Sequence, residues 1–265
     1  MGLRIATWNV NSIRLRLDLL AGLMKSHAPD VICLQETKVQ DHDFPLEHFR
    51  ALGYPHLLTR GMKAYNGVAI ISRVPLTTPH GRDFCEKQDC RHLAARLPGG
   101  IELHNFYVPA GGDIPDPKAN DKFAHKLRFV EEMTGWFADA GEHKNKKMVL
   151  VGDLNIAPME HDVWSHKQLL GVVSHTPPET ERMAALMDTL GWVDSARHFV
   201  PADQKLYSWW SYRNRDWAAS NRGRRLDHIW VTPNLKKSLR STEILRDARN
   251  WTPPSDHVPV IVELA

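Results

Sequence analysis

An α/β fold with layers of sheet and helix is predicted by two features of the amino-acid sequence. Eight short apolar runs, each bounded by polar or turn-forming residues, have the length of buried strands and are numerous enough for two sheets. Segments with apolar residues at helical spacing separate several of these runs. No stretch resembles an interdomain linker, so residues 1–265 are predicted to form a single domain.

The predicted strands and helices alternate along the chain. The strands are residues 3–10, 31–34, 68–71, 93–97, 101–108, 148–151, 228–231 and 258–264. The helices are residues 15–23, 123–140 and 181–190, and the second carries an apolar stripe of Phe123, Leu127, Val130 and Met133. This alternation favours a layered α/β sandwich. Periodicity alone does not say whether the two sheets face each other.

Composition and charge exclude several classes of protein. Hydrophobic residues make up 42% and charged residues 25% of the chain, which is typical of an ordered globular protein. No apolar run approaches the roughly 20 residues that span a bilayer, so we expect no membrane association. Cys33, Cys85 and Cys90 form no C-x-x-C pair, which favours a reducing cytoplasm. A net charge of +3 is mild, so a polyanionic partner would need local basic patches.

Polar residues follow several predicted strands. Asn9 ends the first, Glu36 follows the second, and Asp153 and Asn155 follow the run at 148–151. Each one alone is more often a helix cap or a turn residue. Together they supply the carboxylate and amide oxygens that Mg²⁺ prefers, with Glu36 and Asn9 as the first candidates.

The segment Asp153-Leu154-Asn155 places two polar side chains on one face of an extended backbone. A carboxylate there can accept a proton from water, and an amide can donate to charge on a phosphoryl oxygen. Near the C-terminus, Asp256-His257 precedes the last strand. A surface turn is one interpretation; the other is an imidazole held protonated by a second carboxylate, for which Asp227 is the candidate.

Basic and aromatic residues are concentrated between residues 205 and 225, a segment called here the basic arm. It has six Lys or Arg residues against one acid, and it includes Tyr207, Trp209, Trp210, Tyr212 and Trp217. Cations for phosphates and flat rings for sugars or bases are typical of nucleic-acid contact. The alternative interpretation is a Trp-rich edge of the core with a solvated basic rim.

These motifs, in this order, resemble those of the exonuclease III family of abasic-site endonucleases, part of the wider group of metal-dependent phosphodiesterases that includes deoxyribonuclease I. The matching segments are Thr7-Trp8-Asn9-Val10-Asn11, Leu34-Gln35-Glu36-Thr37-Lys38, Tyr107-Val108-Pro109, Gly152-Asp153-Leu154-Asn155, Arg225-Leu226-Asp227 and Ser255-Asp256-His257. The resemblance implies a four-layer α/β sandwich, in which two facing mixed β-sheets are flanked by helices and the site lies at one edge.

The function that the resemblance implies is DNA repair. The expected reaction is Mg²⁺-dependent hydrolysis of the phosphodiester 5′ to abasic sites in duplex DNA, with 3′ to 5′ exonuclease and 3′-end-cleaning activities. Mn²⁺ is an alternative metal, and the enzyme is expected to be a cytoplasmic monomer. Two other functions stay open: a non-catalytic DNA-binding module, and a phosphodiesterase for lipid or inositol phosphates.

The resemblance also implies residue roles. The expected catalytic residues are Tyr107, Asp153, Asn155, Asp227 and His257. Asp153 would activate water, Asn155 would stabilise the attacked phosphate, and Asp227 would orient His257 toward that phosphate. Tyr107 would touch the phosphate or assist the leaving oxygen. The expected metal-site residues are Asn9, Glu36, Asp153, Asn155, Asp256 and His257.

A third expected set contacts DNA. Its residues are Asn11, Lys126, Trp209, Arg213, Arg222, Arg224 and Leu226. Trp209 would line the pocket for the flipped, baseless sugar. The chain departs from the family at Ala110, where relatives have Asn or Gln, and at Arg224, where they have Leu or Trp. Arg224 is expected to reach out to a phosphate or to insert into the duplex, so that Arg224→Ala weakens DNA binding.

Overall fold

A computed structural model describes residues 2–139 and 145–265 and has fourteen strands and seven α-helices in those residues. The strands are β1 Leu3–Asn9, β2 Val31–Gln35, β3 His56–Met62, β4 Tyr65–Ser72, β5 Thr77–His80, β6 His92–Arg96, β7 Glu102–Tyr107, β8 Met148–Asp153, β9 Val193–Asp194, β10 Trp209–Trp210, β11 Gly223–Arg224, β12 Asp227–Val231, β13 Leu239–Ile244 and β14 Val260–Leu264. The helices are α1 Ile13–His27, α2 Leu46–Ala51, α3 Asp121–Asp139, α4 His166–Leu169, α5 Pro177–Leu190, α6 Ser195–Phe199 and α7 Trp217–Ser220.

All eight predicted strands lie within or overlap observed strands, and the three predicted helices correspond to α1, α3 and α5. The predicted end of the second helix, Ala140, lies outside the described residues. No helix in the described ranges combines the length and apolar character needed to cross a membrane.

The strands form two large mixed sheets and one small ribbon. The first sheet has the order β13-β14-β1-β2-β4-β3, and the second has the order β5-β6-β7-β8-β12-β9. One parallel pair lies inside each sheet, β1 with β2 and β7 with β8. The ribbon consists of β10 and β11. Parallel pairs need a crossover connection, and α1 and α3 provide these two crossovers.

The two large sheets face each other, with helices on their outer sides. Ile5 and Val31 of the first sheet share a buried core with Leu103 and Val149 of the second. Alternate residues point the other way, so that Trp8 packs with the α1 helix in a separate core. On the second sheet, Phe106 packs with residues of α3 and α5. The result is the expected four-layer α/β sandwich, which the structural comparisons below confirm.

Strand direction brings the polar strand ends to one edge. Asn9 of β1 is in register with Gln35 of parallel β2, and Tyr107 of β7 is in register with Asp153 of parallel β8. Antiparallel β12 begins at the same edge, where Asp227 is opposite Asp153. Antiparallel β14 likewise begins beside the end of β1. The fold therefore collects residues from distant parts of the chain at one edge.

Candidate active site

Polar residues from these strand ends line a single cavity. It has a volume of about 800 Å³, and its wall includes Glu36, Tyr107, Asp153, Asn155 and His257. Glu36 directly follows β2, and its positive φ of 51° turns the chain at the strand end. Residues as far apart in the sequence as Glu36 and His257 thus share one concave surface, as is typical of a ligand site.

Asp153 and His257 of this wall form a buried group with Asp227. Nδ1 of His257 lies 2.8 Å from Oδ2 of Asp227, and Nε2 lies 3.6 Å from Oδ2 of Asp153. The hydroxyl of Ser208 donates a 2.6 Å hydrogen bond to the same Asp227 oxygen. The imidazole is thus held between two carboxylates, and Asp227 fixes its orientation.

The pKa values in this group are strongly shifted. Burial alone would lower the pKa of His257, but Asp227 and Asp153 outweigh burial and raise the pKa to about 10. The ring is therefore an imidazolium at neutral pH, held between the two carboxylates. Burial raises the pKa of Asp153 to about 7, with His257 opposing this rise and Asp227 adding to it. These charges favour His257 as a hydrogen-bond donor over the metal-ligand role also expected for it.

Glu36 lies on the same wall and is 20% exposed at its side chain. Its Oε1 accepts hydrogen bonds of 2.9 Å from Nδ2 of Asn9 and from the hydroxyl of Tyr107. Its Oε2 lies 2.9 Å from Nζ of Lys38. Burial would raise the pKa of Glu36, but Asn9 and Lys38 outweigh burial and lower it. Glu36 is therefore a carboxylate at neutral pH and is accessible from the cavity.

Asn9 connects Glu36 to Asp153. Its Nδ2 donates to both carboxylates, at 2.9 Å and 2.8 Å, while its Oδ1 accepts from the backbone N–H of Asn11. Because the amide nitrogen faces both acids, Asn9 orients them and presents no oxygen to a cation between them. In this arrangement Asn9 positions Glu36 and Asp153, and its place among the metal-site residues stays a prediction.

Asn155 is held in a similar way. Its Nδ2 donates to Oδ2 of Asp153 at 3.0 Å and to the carbonyl of Val108 at 2.9 Å. Its backbone N–H donates to Oδ1 of Asp153 at 3.0 Å. Both amide protons are therefore engaged, and Asn155 has none left for a phosphate until one bond is exchanged. The structure thus adds a positioning contact with Asp153 to the expected role.

The donor set fits a hard divalent cation. Glu36, Asp153 and Asp227 place three carboxylates around one imidazolium. Burial and neighbouring negative charge raise the pKa of Asp153, so negative charge here is incompletely compensated. Mg²⁺ is usually bound by one or two carboxylates of a protein and keeps several water ligands. Glu36 and Asp153 are the residues that would hold it, because both line the cavity.

A second cluster of possible metal ligands lies on β5 and β7 of the second sheet, and its hydrogen bonds disfavour a metal there. Its members His80, Glu102 and His104 have ligand atoms within 4.8 Å of one another. The backbone N–H of Arg82 donates to Nδ1 of His92, so the proton of His92 is on Nε2, facing Nδ1 of His104. The remaining proton of His104 is then on Nε2, toward Glu102. In this hydrogen-bond arrangement both nitrogens of His104 are engaged, which leaves His80 and Glu102 as the possible ligands.

Asp256 connects the end of β1 to the basic arm. Its Oδ1 accepts a 3.2 Å hydrogen bond from Nδ2 of Asn11, and its Oδ2 accepts a 3.0 Å bond from Nε1 of Trp209. Trp209 also forms a β-bridge with His257. These contacts place the basic arm directly beside the group of Asp153, Asp227 and His257, with Asp256 between Asn11 and Trp209.

Most residues of the expected DNA-binding set lie on the cavity wall. They are Trp209, Arg213, Arg222, Arg224 and Leu226. Arg224 does not project from the surface as expected; its Nη1 donates to Ser174 and Val173, and its guanidinium lies 5.2 Å from the centre of the Trp209 ring. Trp210 is 1% exposed and belongs to the core, as the alternative interpretation of the arm expects for part of it.

Lys126 is not part of the cavity wall, and its position contradicts the expected contact with DNA. The side chain is fully buried, and Nζ lies 2.5 Å from Oε1 of Glu179, which is also fully buried. Nζ further donates to the carbonyls of Asn155 at 2.7 Å and Ala110 at 3.2 Å. Lys126 lies on α3, and the buried carboxylate of Glu179 compensates its charge inside the protein. Lys126 thus supports the loops of the site from within.

Several supporting residues have no assigned role in the sequence interpretation. Ser208 donates to Asp227, and Nε1 of Trp8 donates to the backbone oxygen of His257 at 3.0 Å. The hydroxyl of Ser255 donates to the backbone oxygen of Asn9 at 2.8 Å and accepts from the N–H of His257. Trp8 and Ser255 belong to the motifs quoted above, so the sequence offered a sign of their importance. Ser208 belongs to no such motif.

Comparisons with known proteins bear on the family and the fold of this chain. The sequence profile described as the Endonuclease/Exonuclease/phosphatase family matches residues 6–257. Exodeoxyribonuclease III of Haemophilus influenzae is 31% identical over 277 aligned positions, covering 98% of this chain and 99% of that relative.

Two solved structures are similar over almost the whole chain. An AP endonuclease from Archaeoglobus fulgidus has a TM-score of 0.91 and 32% identity, with 99% of each chain covered. A Neisseria 3′ phosphatase bound to a product DNA hairpin has a TM-score of 0.90 and 31% identity, with 99% of each chain covered. This degree of similarity confirms the two-sheet architecture.

Proposed function

The chain belongs to the Endonuclease/Exonuclease/phosphatase family and is a DNA-repair nuclease, and we propose that it hydrolyses the phosphodiester 5′ to abasic sites in duplex DNA with Mg²⁺. The products are a 3′-hydroxyl and a 5′-deoxyribose phosphate. Removal of nucleotides or blocking groups from 3′ ends uses the same attack on a phosphate beside a 3′ oxygen. The observation that carries the proposal is the convergence of Glu36, Asp153 and His257 on one cavity, with the buried Asp227 bound to His257.

Asp153 is the proposed base. Its Oδ1 accepts from the backbone of Asn155, and its Oδ2 accepts from Asn9 and Asn155, so the carboxylate is fixed in one orientation. A base is most effective when its pKa lies near the working pH, and burial raises that of Asp153 toward neutrality. Asp153 takes a proton from the attacking water, and no covalent intermediate with the protein is needed.

His257 is the proposed phosphate contact. Held as an imidazolium by Asp227, it offers one N–H to a phosphoryl oxygen, where negative charge develops during attack. Tyr107 stays protonated because burial and the neighbouring Glu36 raise its pKa. Its hydroxyl keeps Glu36 in place and can contact the phosphate only by leaving Glu36.

A bound Mg²⁺ would supply positive charge at the phosphate oxygens and at the departing 3′ oxygen. Glu36 and Asp153 would hold it, with Asn9 orienting both side chains. Mn²⁺ prefers similar oxygen ligands and is the expected substitute. Lys38, which pairs with Glu36, adds a fixed positive charge at the same place.

The direct test uses a duplex with one tetrahydrofuran abasic-site analogue. We expect incision on its 5′ side with Mg²⁺ and none after EDTA is added. Parallel reactions on an undamaged recessed duplex measure the exonuclease activity. Binding without metal-dependent incision would instead identify a non-catalytic DNA-binding module. Hydrolysis of inositol phosphates but not of DNA would identify the phosphodiesterase for lipid or inositol phosphates.

Glu36→Gln is expected to raise the Mg²⁺ concentration for half-maximal incision by about tenfold or more, because it removes one ligand charge. High Mg²⁺ should restore part of the rate. Glu47→Gln is the matched control, since Glu47 is 83% exposed at its side chain and lies on α2. A Mg²⁺ titration that is identical for wild type and Glu36→Gln would remove Glu36 from the proposed metal site.

Three further expectations stay predictions. They are a single domain over residues 1–265, a monomer, and a cytoplasmic location, for which the three free cysteines are the supporting feature. Light scattering after gel filtration measures the mass in solution, and a single cooperative unfolding transition would support the single domain.

A further inference from the structure

Two buried amides connect the facing sheets one layer below the active site. Gln35 of β2 and Asn105 of β7, called here the amide pair, are fully buried. They lie on the strand faces that form the core between the sheets, where the residues two positions earlier, Cys33 and Leu103, are apolar. A polar group in such a layer is costly unless its hydrogen bonds are made.

Asn105 directs its side-chain hydrogen bonds to the opposite sheet. Its Nδ2 donates to the carbonyls of Leu34 and Ala69, both at 3.0 Å, and its Oδ1 accepts from Nε2 of Gln35 at 2.6 Å. Because a carbonyl can only accept, these contacts fix which way the Asn105 amide faces, and therefore which way the Gln35 amide faces. One side chain of the second sheet is thus bonded to β2 and β4 of the first.

Gln35 is satisfied less completely than Asn105. Its Nε2 also donates to the hydroxyl of Thr7 at 2.9 Å, whereas its Oε1 is buried and has no hydrogen-bond partner among the described residues. An apolar side chain of similar volume would leave no such oxygen, so filling the core does not require an amide at this position. What the amide adds is its bonds to Asn105 and Thr7.

The amide pair lies next to two residues of the active site. Gln35 directly precedes Glu36. Asn105 lies two residues before Tyr107 on the same face of β7. The hydroxyl of Tyr107 donates to Glu36 at 2.9 Å. The two sheets are therefore joined twice at this end, once by the amide pair and once in the layer above it.

The amide pair restricts the alignment of the two sheets. Apolar packing, which forms the rest of this core, is non-directional, whereas hydrogen bonds oppose sliding of one sheet over the other. Alignment matters for the reaction because Glu36 follows a strand of the first sheet and Asp153 ends a strand of the second. Asn105 is in register with Val151 of β8, two residues before Asp153.

We propose that the amide pair positions the reacting groups for phosphodiester hydrolysis, because it holds the strand before Glu36 in line with the strand that ends at Asp153. Both amides are fully buried, so they act through the backbone and not by touching the substrate. A misplacement of about 1 Å at a reacting centre can cost about 10²-fold in rate. The inference rests on the proposed function, since incision is its readout, and it adds two positioning residues to that site.

The test is Gln35→Met, which keeps the approximate volume of the side chain and removes the amide. We expect the maximal single-turnover rate on the tetrahydrofuran duplex to fall by about tenfold or more. The enzyme concentration that gives half of this rate should stay within about twofold of wild type, because the basic arm is unchanged. The urea midpoint of unfolding should stay within about 0.5 M, because an unpaired buried oxygen is lost together with the hydrogen bonds. A purely structural role predicts the reverse, a lower midpoint and an unchanged maximal rate.

Two control variants separate the alignment of the sheets from other effects. Thr7→Val keeps the side-chain shape and removes the bond between Thr7 and Gln35. That bond lies within the first sheet, where the backbone ladder of β1 and β2 already sets the alignment. Val149→Ala truncates the same core and should lower the urea midpoint. Both controls should keep the maximal rate within about twofold of wild type.

A double variant tests whether the two amides act through each other. Asn105→Ala should also lower the maximal rate, and it tests the same bond independently if Gln35→Met does not fold. Because both substitutions remove one bond, the double variant should lose hardly more rate than Asn105→Ala alone.

The inference is overturned if either single variant of the amide pair keeps the wild-type maximal rate, or if their losses multiply in the double variant. It is also overturned if either control loses as much rate as Gln35→Met. Each of these results requires a wild type that incises with Mg²⁺, so each leaves the proposed function intact. Failure of the proposed function is different, because wild type itself then makes no metal-dependent cut.

Discussion

Asp153→Asn is expected to lower the single-turnover rate of abasic-site incision by about 10³-fold, while abasic duplex is still bound. The substitution keeps the size of the side chain and the oxygen that accepts from the backbone of Asn155. It removes the proton acceptor and one of the carboxylates that would hold a cation. Because the substitution leaves the basic arm unchanged, and the arm is expected to contact DNA, the loss should appear in the rate and hardly in affinity.

Rapid mixing of excess enzyme with labelled duplex measures that rate, and fluorescence anisotropy in EDTA measures binding. Asp113→Asn is the matched control, since Asp113 is an exposed acid on the rim of the same cavity. It should keep the rate within a few-fold of wild type. An Asp153→Asn protein with the wild-type rate would remove Asp153 from the role of base.

Arg225→Met is expected to lower the free energy of unfolding by about 3–5 kcal/mol. Arg225 is fully buried, and it binds both oxygens of Asp162 at 2.8 Å and one oxygen of Asp194 at 2.6 Å. Its removal leaves these carboxylates buried with less compensation. The residue lies between β11 and Asp227, so the same network anchors the start of β12.

Urea unfolding followed by circular dichroism measures this loss. Arg14→Met is the control: Arg14 pairs with Asp43 at 3.2 Å, but its side chain is 63% exposed, so the change should be within about 1 kcal/mol. A double variant, Arg225→Met with Asp162→Leu, should regain part of the stability because a buried charge is removed with its partner. Equal stability of wild type and Arg225→Met would contradict the assigned role of the network.

The central strands were predictable because both of their faces are buried. The runs at 31–34 and 148–151 are continuously apolar, and they correspond to β2 and β8 in the middle of their sheets. The strands absent from the prediction include β3 and β5, which lie at sheet edges. All residues of β5 are exposed and those of β3 are only half-buried, so their side chains show no strong apolar pattern.

The site was predictable where the chemistry is carried by motifs at strand ends. Glu36, Asp153, Asp227 and His257 lie together because parallel and antiparallel strands deliver them to one edge. Lys126 was not predictable, because only the tertiary structure places Glu179 opposite it. The direction of Arg224 likewise depends on Ser174, about fifty residues earlier in the chain. Sequence spacing carries no information about such distant partners.

The measurement that most directly tests direct attack of water at this site is incision of the tetrahydrofuran duplex in heavy-oxygen water, with Mg²⁺, followed by mass spectrometry of both fragments. The expected result is one heavy oxygen in the 5′-phosphate of the abasic fragment and none in the 3′-hydroxyl, with no product from Asp153→Asn under the same conditions. Heavy oxygen in the 3′-hydroxyl would mean attack at carbon. That result, or unchanged product formation by Asp153→Asn, would contradict hydrolysis at phosphorus by water that Asp153 activates.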